Sequence, residues 1–223
     1  MARKTKEETQ ATRDGILDAA EACFQELGVA GTTLEKIGAR AGFTRGAVYW
    51  HFKNKGEVLA AVMQRCRIPF MQKLELASTT DGDTPVESLR AVMFNAWCDL
   101  EESARLRGLL EIMLRNDLSN ESQRLRDTHS DGFNDTHALM THVFQRASTL
   151  GQLRAGIDPA MAAKMLHITL TGVLYTAIFH HAAISLTRDG LSALDATLST
   201  LTVAGSFQPG SLPARYRIND LQD

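Results

Sequence analysis

A run of donor-rich side chains follows a glycine near the start of the chain, in the segment AGFTRGAVYWHFKNK at residues 41–55. Arginine presents a fork of hydrogen-bond donors that fits guanine, and phenol, indole, imidazole and ammonium groups suit contacts with DNA phosphates. These residue types at this spacing predict a surface that binds double-stranded DNA. The candidate residues are Thr33, Thr44, Arg45, Gly46, Tyr49, Trp50, His51, Lys53 and Lys55.

Within this set, Arg45 is the expected reader of bases, because it leads a helix whose first residues reach base edges in a major groove. Lys53 and Lys55 are expected to contact phosphates, and Gly46 lets the backbone approach closely. An alternative interpretation makes the aromatic residues part of a small core and the lysines a solvated face. The agreement of turn, caps and basic flanks favours DNA binding.

Two short helices must position these side chains. Thr32-x-x-Glu35 has the pattern of a capping box, which predicts a helix that begins near Leu34. Gly42 follows Ala41 where a chain that leaves a helix favours a left-handed residue. The sequence therefore predicts that the first of these helices ends at Gly42.

The second short helix is predicted to begin after Thr44, whose hydroxyl can cap it. Val48 and Phe52 lie four residues apart and should face inward, which leaves the donor-rich side chains on the outward face. Asn54 should cap a further helix that has Lys55 in its first turn. This order of elements is typical of a helix-turn-helix.

The segment resembles the N-terminal domain of the TetR/AcrR family of bacterial transcriptional regulators. It matches the family elements T-T-x-x-I, A-G-F-T-R-G-A-V-Y-W-H-F and N-K-x-x-L, and the resemblance covers about residues 9–60. Gly38 departs from the usual alanine, which lowers helix propensity by about 1 kcal/mol. The opening ARKTKEETQATRDGIL is similar to the subgroup that represses multidrug efflux pumps of the resistance-nodulation-division type.

The charge distribution agrees with DNA binding by the N-terminal part of the chain alone. Residues through Arg67 contain eleven Lys/Arg against eight Asp/Glu, a net +3, and the remainder carries −5 within the overall −2. Residues 1–8 form a short basic arm that is expected to be flexible. The opening sequence has no apolar stretch typical of a secretory signal and no run of eighteen apolar residues occurs, so a cytoplasmic protein without a membrane span is expected.

Helical periodicity continues through the rest of the chain and predicts an all-α fold. Helices are expected over about 9–27, from 55 with a kink or end at Pro69, from 85 after a polar loop at 78–84, and over 104–117, 119–150, 159–183 and 190–204. The predicted organisation is a three-helix helix-turn-helix DNA-binding domain at 9–67, a larger ligand-binding and dimerisation domain at 68–210, and a flexible tail at 211–223.

The C-terminal helices contain no motif of a known catalytic site, so neither an enzyme nor a cofactor is expected. By spacing alone their methionine, leucine and aromatic residues fit a core. The family resemblance instead implies a cavity for a small hydrophobic or aromatic effector, with His137, His167 or Thr171 to orient it. The candidate lining is Phe70, Met93, Trp97, Leu110, Met113, Leu114, Phe133, His137, Met140, His167, Leu170, Thr171 and Leu174.

The last two helices are rich in small and apolar residues and poor in charge, which would leave an apolar patch on a monomer. The family resemblance implies that this pair forms a homodimer, which places two recognition helices for a palindromic operator. The resemblance thus implies a repressor of an efflux pump operon that is released from DNA by its ligand.

Two alternatives remain open at this stage. One is a regulator of metabolic or signalling genes with a different effector. The other is a sensor of metal or redox state, in which Cys66 or Cys98 would react or histidines would bind a metal. His129, His137, His142 and the pair His180–His181 lack the spacing of a ligand set, so no metal site is predicted.

Overall fold

The computed structural model describes residues 6–79, 82–117, 123–180 and 183–215, with the side chains of all of these except 68, 115–117 and 123–133. These residues form α-helices joined by short connections, and no strand occurs among them, so the prediction of an all-α fold is confirmed. The α-helices are α1 (Lys6–Gly31), α2 (Leu34–Ala41), α3 (Arg45–His51), α4 (Lys55–Thr79), α5 (Pro85–Glu102), α6 (Ala104–Asp117), α7 (Gln123–Thr149), α8 (Pro159–Phe179) and α9 (Leu191–Leu201).

The chain divides into two compact units. The first comprises Met1–Arg67 and Gly108–Ser130, and the second comprises Ile68–Arg107 and Asp131–Asp223. The domains at 9–67 and 68–210 stay a prediction, and most of α6 is grouped with the first unit rather than with the second. The physical reason is burial, since Leu109 and Ile112 of α6 lie in the core of the first unit.

The core of the first unit is built on α1. This helix begins at Lys6 rather than Thr9, and it is interrupted at Gly28, where φ is 67° and ψ is 170°. Ile16, Ala20, Cys23 and Phe24 of α1 are buried, whereas Leu27 is 46% exposed. Helices α2, α3 and α4 each add residues to the same core. Its fully or nearly fully buried members include Ile16, Leu17, Ala20, Cys23, Phe24, Ile37, Val48, Val58, Leu59, Val62 and Leu109.

The core of the second unit is formed by α5, α7, α8 and α9 with part of α4. Helix α4 continues through Pro69 to Thr79, so the predicted kink or end at this proline does not interrupt the assigned helix. An interior proline removes one backbone hydrogen bond. Leu74, in the second half of the same helix, has no exposed surface, and its burial contributes to offsetting the lost hydrogen bond.

The predicted helix over 159–183 is shorter in the structure. Asp158 caps α8 as its position before Pro159 indicates, accepting a hydrogen bond from the Met161 N–H at 2.9 Å. The α-helix ends at Phe179, and a five-residue π-helix at Leu186–Gly190 precedes α9. Glu101 of α5 anchors this connection, because its carboxylate accepts hydrogen bonds from the hydroxyls of Ser185 and Thr187.

The segment after α9 is held against the second unit. The Arg90 guanidinium donates to the Ser211 carbonyl at 2.6 Å, and the Asn95 amide donates to the Ala214 carbonyl at 3.0 Å. Ser211 and Ala214, which fall in the tail predicted from residue 211, thus accept hydrogen bonds from α5. The reason is that Arg90 and Asn95 are buried and need acceptors, which this segment supplies.

Candidate nucleic-acid interface

Helix α2 begins at Leu34 as predicted, but its cap is Thr33 rather than Thr32. The Thr33 hydroxyl accepts a hydrogen bond from the Lys36 N–H at 3.3 Å. Thr32 is fully buried, and its hydroxyl donates to the Gly28 carbonyl at 2.7 Å and to the Cys23 carbonyl at 3.1 Å. The prediction of a capping box formed by Thr32 and Glu35 is thus wrong: the cap lies one residue later, and the Thr32 hydroxyl pairs with carbonyls of α1.

The turn between α2 and α3 follows the prediction. Gly42 adopts the left-handed conformation with φ 70°, and its N–H donates to the Ala39 carbonyl at 3.3 Å. Thr44 caps α3 by accepting from the Ala47 N–H at 3.2 Å. Val48 is fully buried and Phe52 is nearly so, which fixes the rotation of α3 about its own axis. The opposite face of α3 is therefore available to meet another molecule.

That outward face presents large donor-bearing side chains to solvent. Trp50 is 71% exposed and Tyr49 is 42% exposed, which is unusual for residues of this size. The Arg45 side chain is 71% exposed at the first position of α3. At Gly46 a Cβ atom would meet only the Thr44 hydroxyl at 4.0 Å, so internal packing does not require glycine there. An approaching backbone or phosphate outside the protein would explain the small residue.

Gly38 allows α2 to lie close against α3. A Cβ atom at this position would lie 3.0 Å from Cγ2 of Val48 and 3.3 Å from the Phe43 carbonyl oxygen. The lower helix propensity of glycine at this position is thus accompanied by close packing onto the buried side of α3. Gly38, which stands where the family usually has alanine, thus lies on the side of α2 that packs against α3 and not on the exposed side.

Glu35 of α2 contacts the outward face of α3. Its Oε1 accepts a hydrogen bond from the Tyr49 hydroxyl at 3.3 Å and lies 3.5 Å from Nε of Arg45. The Arg45 guanidinium also stacks over the Tyr49 ring at 5.1 Å. A hydrogen bond from its own backbone N–H, followed by one from Thr33, lowers the pKa of Glu35 against the opposing effect of burial. The carboxylate is therefore charged at neutral pH.

The two candidate lysines have different surroundings. Lys53 is exposed, and its backbone N–H donates to Glu57 at 2.8 Å. Lys55 is partly buried, and its ammonium donates to the Val29 carbonyl at 2.5 Å. The phosphate contact of Lys53 stays a prediction that its exposure allows, whereas Lys55 ties the start of α4 to the end of α1. His51 is partly buried, with its ring edge-on to Trp50 at 4.6 Å between centroids.

Ion pairs hold the first unit together around these residues. Arg40 of α2 forms two hydrogen bonds with Glu26 of α1, at 2.6 and 2.7 Å. Arg65 of α4 pairs with Asp18 and Glu21 of α1 at 2.8 and 3.3 Å. Helix α3, which presents Arg45, thus lies in a unit in which ion pairs join α2 and α4 to α1.

Comparison with known proteins decides the family. Residues 16–62 match the family described as bacterial regulatory proteins, tetR family. The transcriptional regulator TtgR of Pseudomonas putida is 30% identical over 209 residues, which cover 93% of this chain and 100% of TtgR. The chain belongs to the TetR family of bacterial transcriptional regulators.

Solved TetR-family structures share the fold along almost the whole chain. The complex of SmeT with triclosan has a TM-score of 0.88 and 55% identity, covering 93% of this chain and 100% of that chain. A structure of SmeT as the repressor of the Stenotrophomonas maltophilia efflux pump SmeDEF has a TM-score of 0.84 and 54% identity, covering 94% and 99%. NalD, the secondary repressor of MexAB-OprM in Pseudomonas aeruginosa, has a TM-score of 0.77 and 28% identity, covering 89% and 100%.

The predicted effector residues of this TetR-family chain are only partly brought together. In the second unit, some are buried in the core and others are partly exposed. The buried residues are Met93, Trp97, Met140 and Leu170, and the partly buried ones are Phe70, His137, His167 and Leu174. His137 Nε2 is already hydrogen bonded to the Ala160 carbonyl at 3.3 Å.

The five remaining predicted effector residues are Leu110, Met113, Leu114, Phe133 and Thr171. Thr171 is exposed on α8, because it is one position past the buried Leu170 and therefore about 100° around the helix. Its predicted place in an interior cavity does not agree with this exposure. Leu110, Met113 and Leu114 belong to the first unit, and the side chain of Phe133 lies outside the described residues.

A surface cleft of about 700 Å³ lies beside the C-terminal segment of the second unit. None of the predicted effector residues lines it. Its lining includes Phe94, Cys98, Glu101, Arg188, Leu212 and Arg215. Several acidic and basic groups of this cleft have partners within the protein, such as Arg215 with Glu102 at 2.5 Å.

The surroundings of the cysteine and histidine side chains are relevant to the alternative of a metal or redox sensor. Cys23 and Cys98 are buried in the two separate cores, and burial raises the pKa of the Cys98 thiol. His142 Nδ1 pairs with the Ser78 carbonyl at 2.9 Å, while His129 and His181 are outside the described side chains. Among the described residues no three His, Cys, Asp or Glu side chains are grouped as a metal site.

Proposed function

We propose that this TetR-family regulator binds a palindromic operator as a homodimer and represses a multidrug efflux pump operon. In this proposal small hydrophobic or aromatic compounds release it from DNA, and the protein acts in the cytoplasm. The observation that carries the DNA-binding part is the exposed face of α3, where Arg45, Tyr49 and Trp50 project from a helix held by a buried Val48. Such a face suits major-groove binding.

The efflux assignment rests on similarity rather than on the geometry of this chain. SmeT and NalD are repressors of multidrug efflux pumps, and SmeT has been solved with triclosan. At 55% identity over 93% of the chain, SmeT is similar enough to make triclosan a suitable test ligand. A regulator of metabolic or signalling genes would instead respond to one tight physiological ligand and not to varied hydrophobic compounds.

Homodimerisation is supported by an exposed apolar face on α8. Met161, Met165, Ile168 and Tyr175 are 52%, 44%, 66% and 45% exposed in the single chain. By length and composition alone, this helix is also long and apolar enough to cross a membrane. A second copy of the chain that covers this face would account for its apolar character without a membrane. Exposed apolar patches of this kind mark interfaces between proteins.

Release of DNA would follow from the continuity of α4. This helix carries Lys55 in the first unit and Leu74 in the core of the second, so a ligand that shifts its second half acts on the DNA-binding unit through one continuous helix. Two recognition helices must lie about 34–36 Å apart to enter successive major grooves. A change in their separation lowers affinity for the operator.

Selection from a pool of duplexes with a randomised core of about 30 base pairs, long enough for two half-sites one helical turn apart, tests the proposal. The wild-type protein should enrich a palindromic sequence, and fluorescence anisotropy should then show tighter binding to the enriched duplex than to a scrambled duplex of equal composition. Added triclosan should weaken binding to the enriched duplex. Failure to enrich any sequence would overturn the proposed DNA-binding role, and enrichment without any effect of triclosan or similar compounds would favour a different effector.

A further inference from the structure

Glu35 lies on α2, outside the helix that reads DNA, yet it contacts two side chains of the reading face. Its Oε1 is 3.3 Å from the Tyr49 hydroxyl and 3.5 Å from Arg45 Nε. The Glu35 side chain is half exposed, so its negative charge stands at the surface that meets a polyanion. A carboxylate in this place opposes general DNA affinity.

The contact with Glu35 engages only part of the Arg45 guanidinium. Arginine has five N–H donors, and Nε supplies one of them. Nε is the guanidinium atom that the ion pair brings to 3.5 Å from Glu35, which leaves the two terminal amino groups to form the bidentate pair that arginine makes with O6 and N7 of guanine. A contact with a phosphate would instead draw the whole guanidinium toward the DNA backbone. The negative charge of Glu35 repels the negative phosphate and so opposes this contact.

We infer that Glu35 is a positioning residue that determines specificity: it holds Arg45 and Tyr49 toward base edges and disfavours the use of Arg45 as a phosphate clamp on any sequence. This inference rests on the proposed role of α3 as the DNA-reading helix. The stacking of Arg45 on Tyr49 at 5.1 Å adds a second restraint on the guanidinium. Glu35 therefore contributes to discrimination while it lowers affinity for random DNA.

Glu35→Gln removes the charge and keeps the size and most of the hydrogen-bonding capacity of the side chain. Its binding should be measured by anisotropy at several salt concentrations, on the duplex enriched by the wild-type protein and on its scrambled counterpart. We expect roughly twofold to fivefold tighter binding to the scrambled duplex, the range of an exposed ion pair. The salt slope on that duplex should steepen by about 0.9, as for one added phosphate contact. The ratio of the two affinities should fall.

Glu26→Gln is the matched control, because Glu26 pairs with Arg40 rather than with α3 and its side chain is 56% exposed against 50% for Glu35. Both variants change the net charge by the same amount. Glu26→Gln should leave the affinity ratio unchanged. In an Arg45→Ala background, Glu35→Gln should alter the ratio much less, because one of the two side chains through which it acts is absent and only the Tyr49 contact remains.

Three outcomes would overturn the inference. An unchanged ratio in Glu35→Gln, beside a wild-type protein that discriminates, contradicts it and leaves the proposed function intact. Equal effects of Glu26→Gln and Glu35→Gln would show general electrostatics instead of positioning. A wild-type protein that enriches no sequence would overturn the proposed function together with the inference. Thermal melting of each variant verifies that the first unit remains folded.

Discussion

The guanidinium of Arg90 and the carboxylate of Asp195 form two hydrogen bonds inside the second unit, Nε to Oδ1 at 2.6 Å and Nη2 to Oδ2 at 3.0 Å. Arg90 has no exposed surface, and Asp195 is 6% exposed. The same carboxylate accepts the Gly210 N–H at 2.7 Å. One charge pair therefore joins α5, α9 and the C-terminal segment.

Asp195→Ala should destabilise the protein by about 3 kcal/mol, the lower end of the cost of breaking a buried pair, because the buried Arg90 loses Asp195 but keeps Glu87 at 3.1 Å. Urea denaturation followed by circular dichroism measures the loss. The double variant Arg90→Met, Asp195→Leu should recover part of the lost stability, since two apolar groups replace the pair.

Arg188→Ala is the control, because it removes an exposed ion pair with Asp189 and should have a far smaller effect on stability. Equal losses in Asp195→Ala and Arg188→Ala would contradict this explanation.

Lys53 and Lys55 should behave differently when each is replaced by alanine. Lys53→Ala should weaken binding to all sequences and reduce the salt slope by about 1, as expected for loss of a phosphate contact. Lys55→Ala should instead lower the melting temperature, because its ammonium holds the Val29 carbonyl. Salt-dependent anisotropy and thermal melting on both variants separate the two roles. A loss of salt slope in Lys55→Ala alone would reverse the assignment.

Ile168→Glu should convert a dimer into monomers. Ile168 is 66% exposed on the apolar face of α8, and a carboxylate there would be buried without a partner on dimerisation. Sedimentation velocity at micromolar concentration measures the change, and operator affinity should fall with it. Leu27→Glu is the control, since Leu27 is 46% exposed in the first unit. Monomers in both variants, or in neither, would argue against α8 as the interface.

Triclosan binding should be coupled to DNA binding. Calorimetric titration into free and operator-bound protein should give affinities that differ by roughly 5–150-fold, because effector and DNA must weaken each other by the same factor. Phe70→Ala should reduce triclosan affinity about tenfold through lost apolar contact. Thr171→Ala should not, since Thr171 is exposed. Identical triclosan affinities with and without DNA would exclude this release mechanism.

Asp189 should contribute an acid-sensitive part of the stability. Hydrogen bonds from Arg188, and then from the Ser185 N–H, lower its pKa from 3.8 to about 2. Because the folded state has the lower pKa, this contribution is present above pH 3.8 and is lost as the pH falls through about 2. The difference in unfolding free energy between wild type and Asp189→Asn should therefore shrink as the pH is lowered from about 5 toward about 2, as measured by urea titrations at each pH. A difference independent of pH would rule this out.

Local patterns in the sequence predicted α3 and the residue at which it begins. Gly42, Thr44 and Asp158 act within four residues of their own positions, so turn and cap chemistry could identify them from the sequence. The alternation of buried and exposed residues along α3 follows from the helical period, which places Val48 inside and Trp50 outside.

Contacts between distant residues were decided by the tertiary structure alone. Glu35 meets Tyr49 fourteen residues away, Lys55 meets Val29 twenty-six residues away, and Arg90 meets Asp195 across 105 residues. Periodicity gives the face on which a side chain lies, but it does not give the partner that another helix brings to that face. The sequence by itself thus determined the family, the fold class and the start of α3. Packing decided which charges contact each other, because the strength of a charge pair depends on distances that only the assembled helices set.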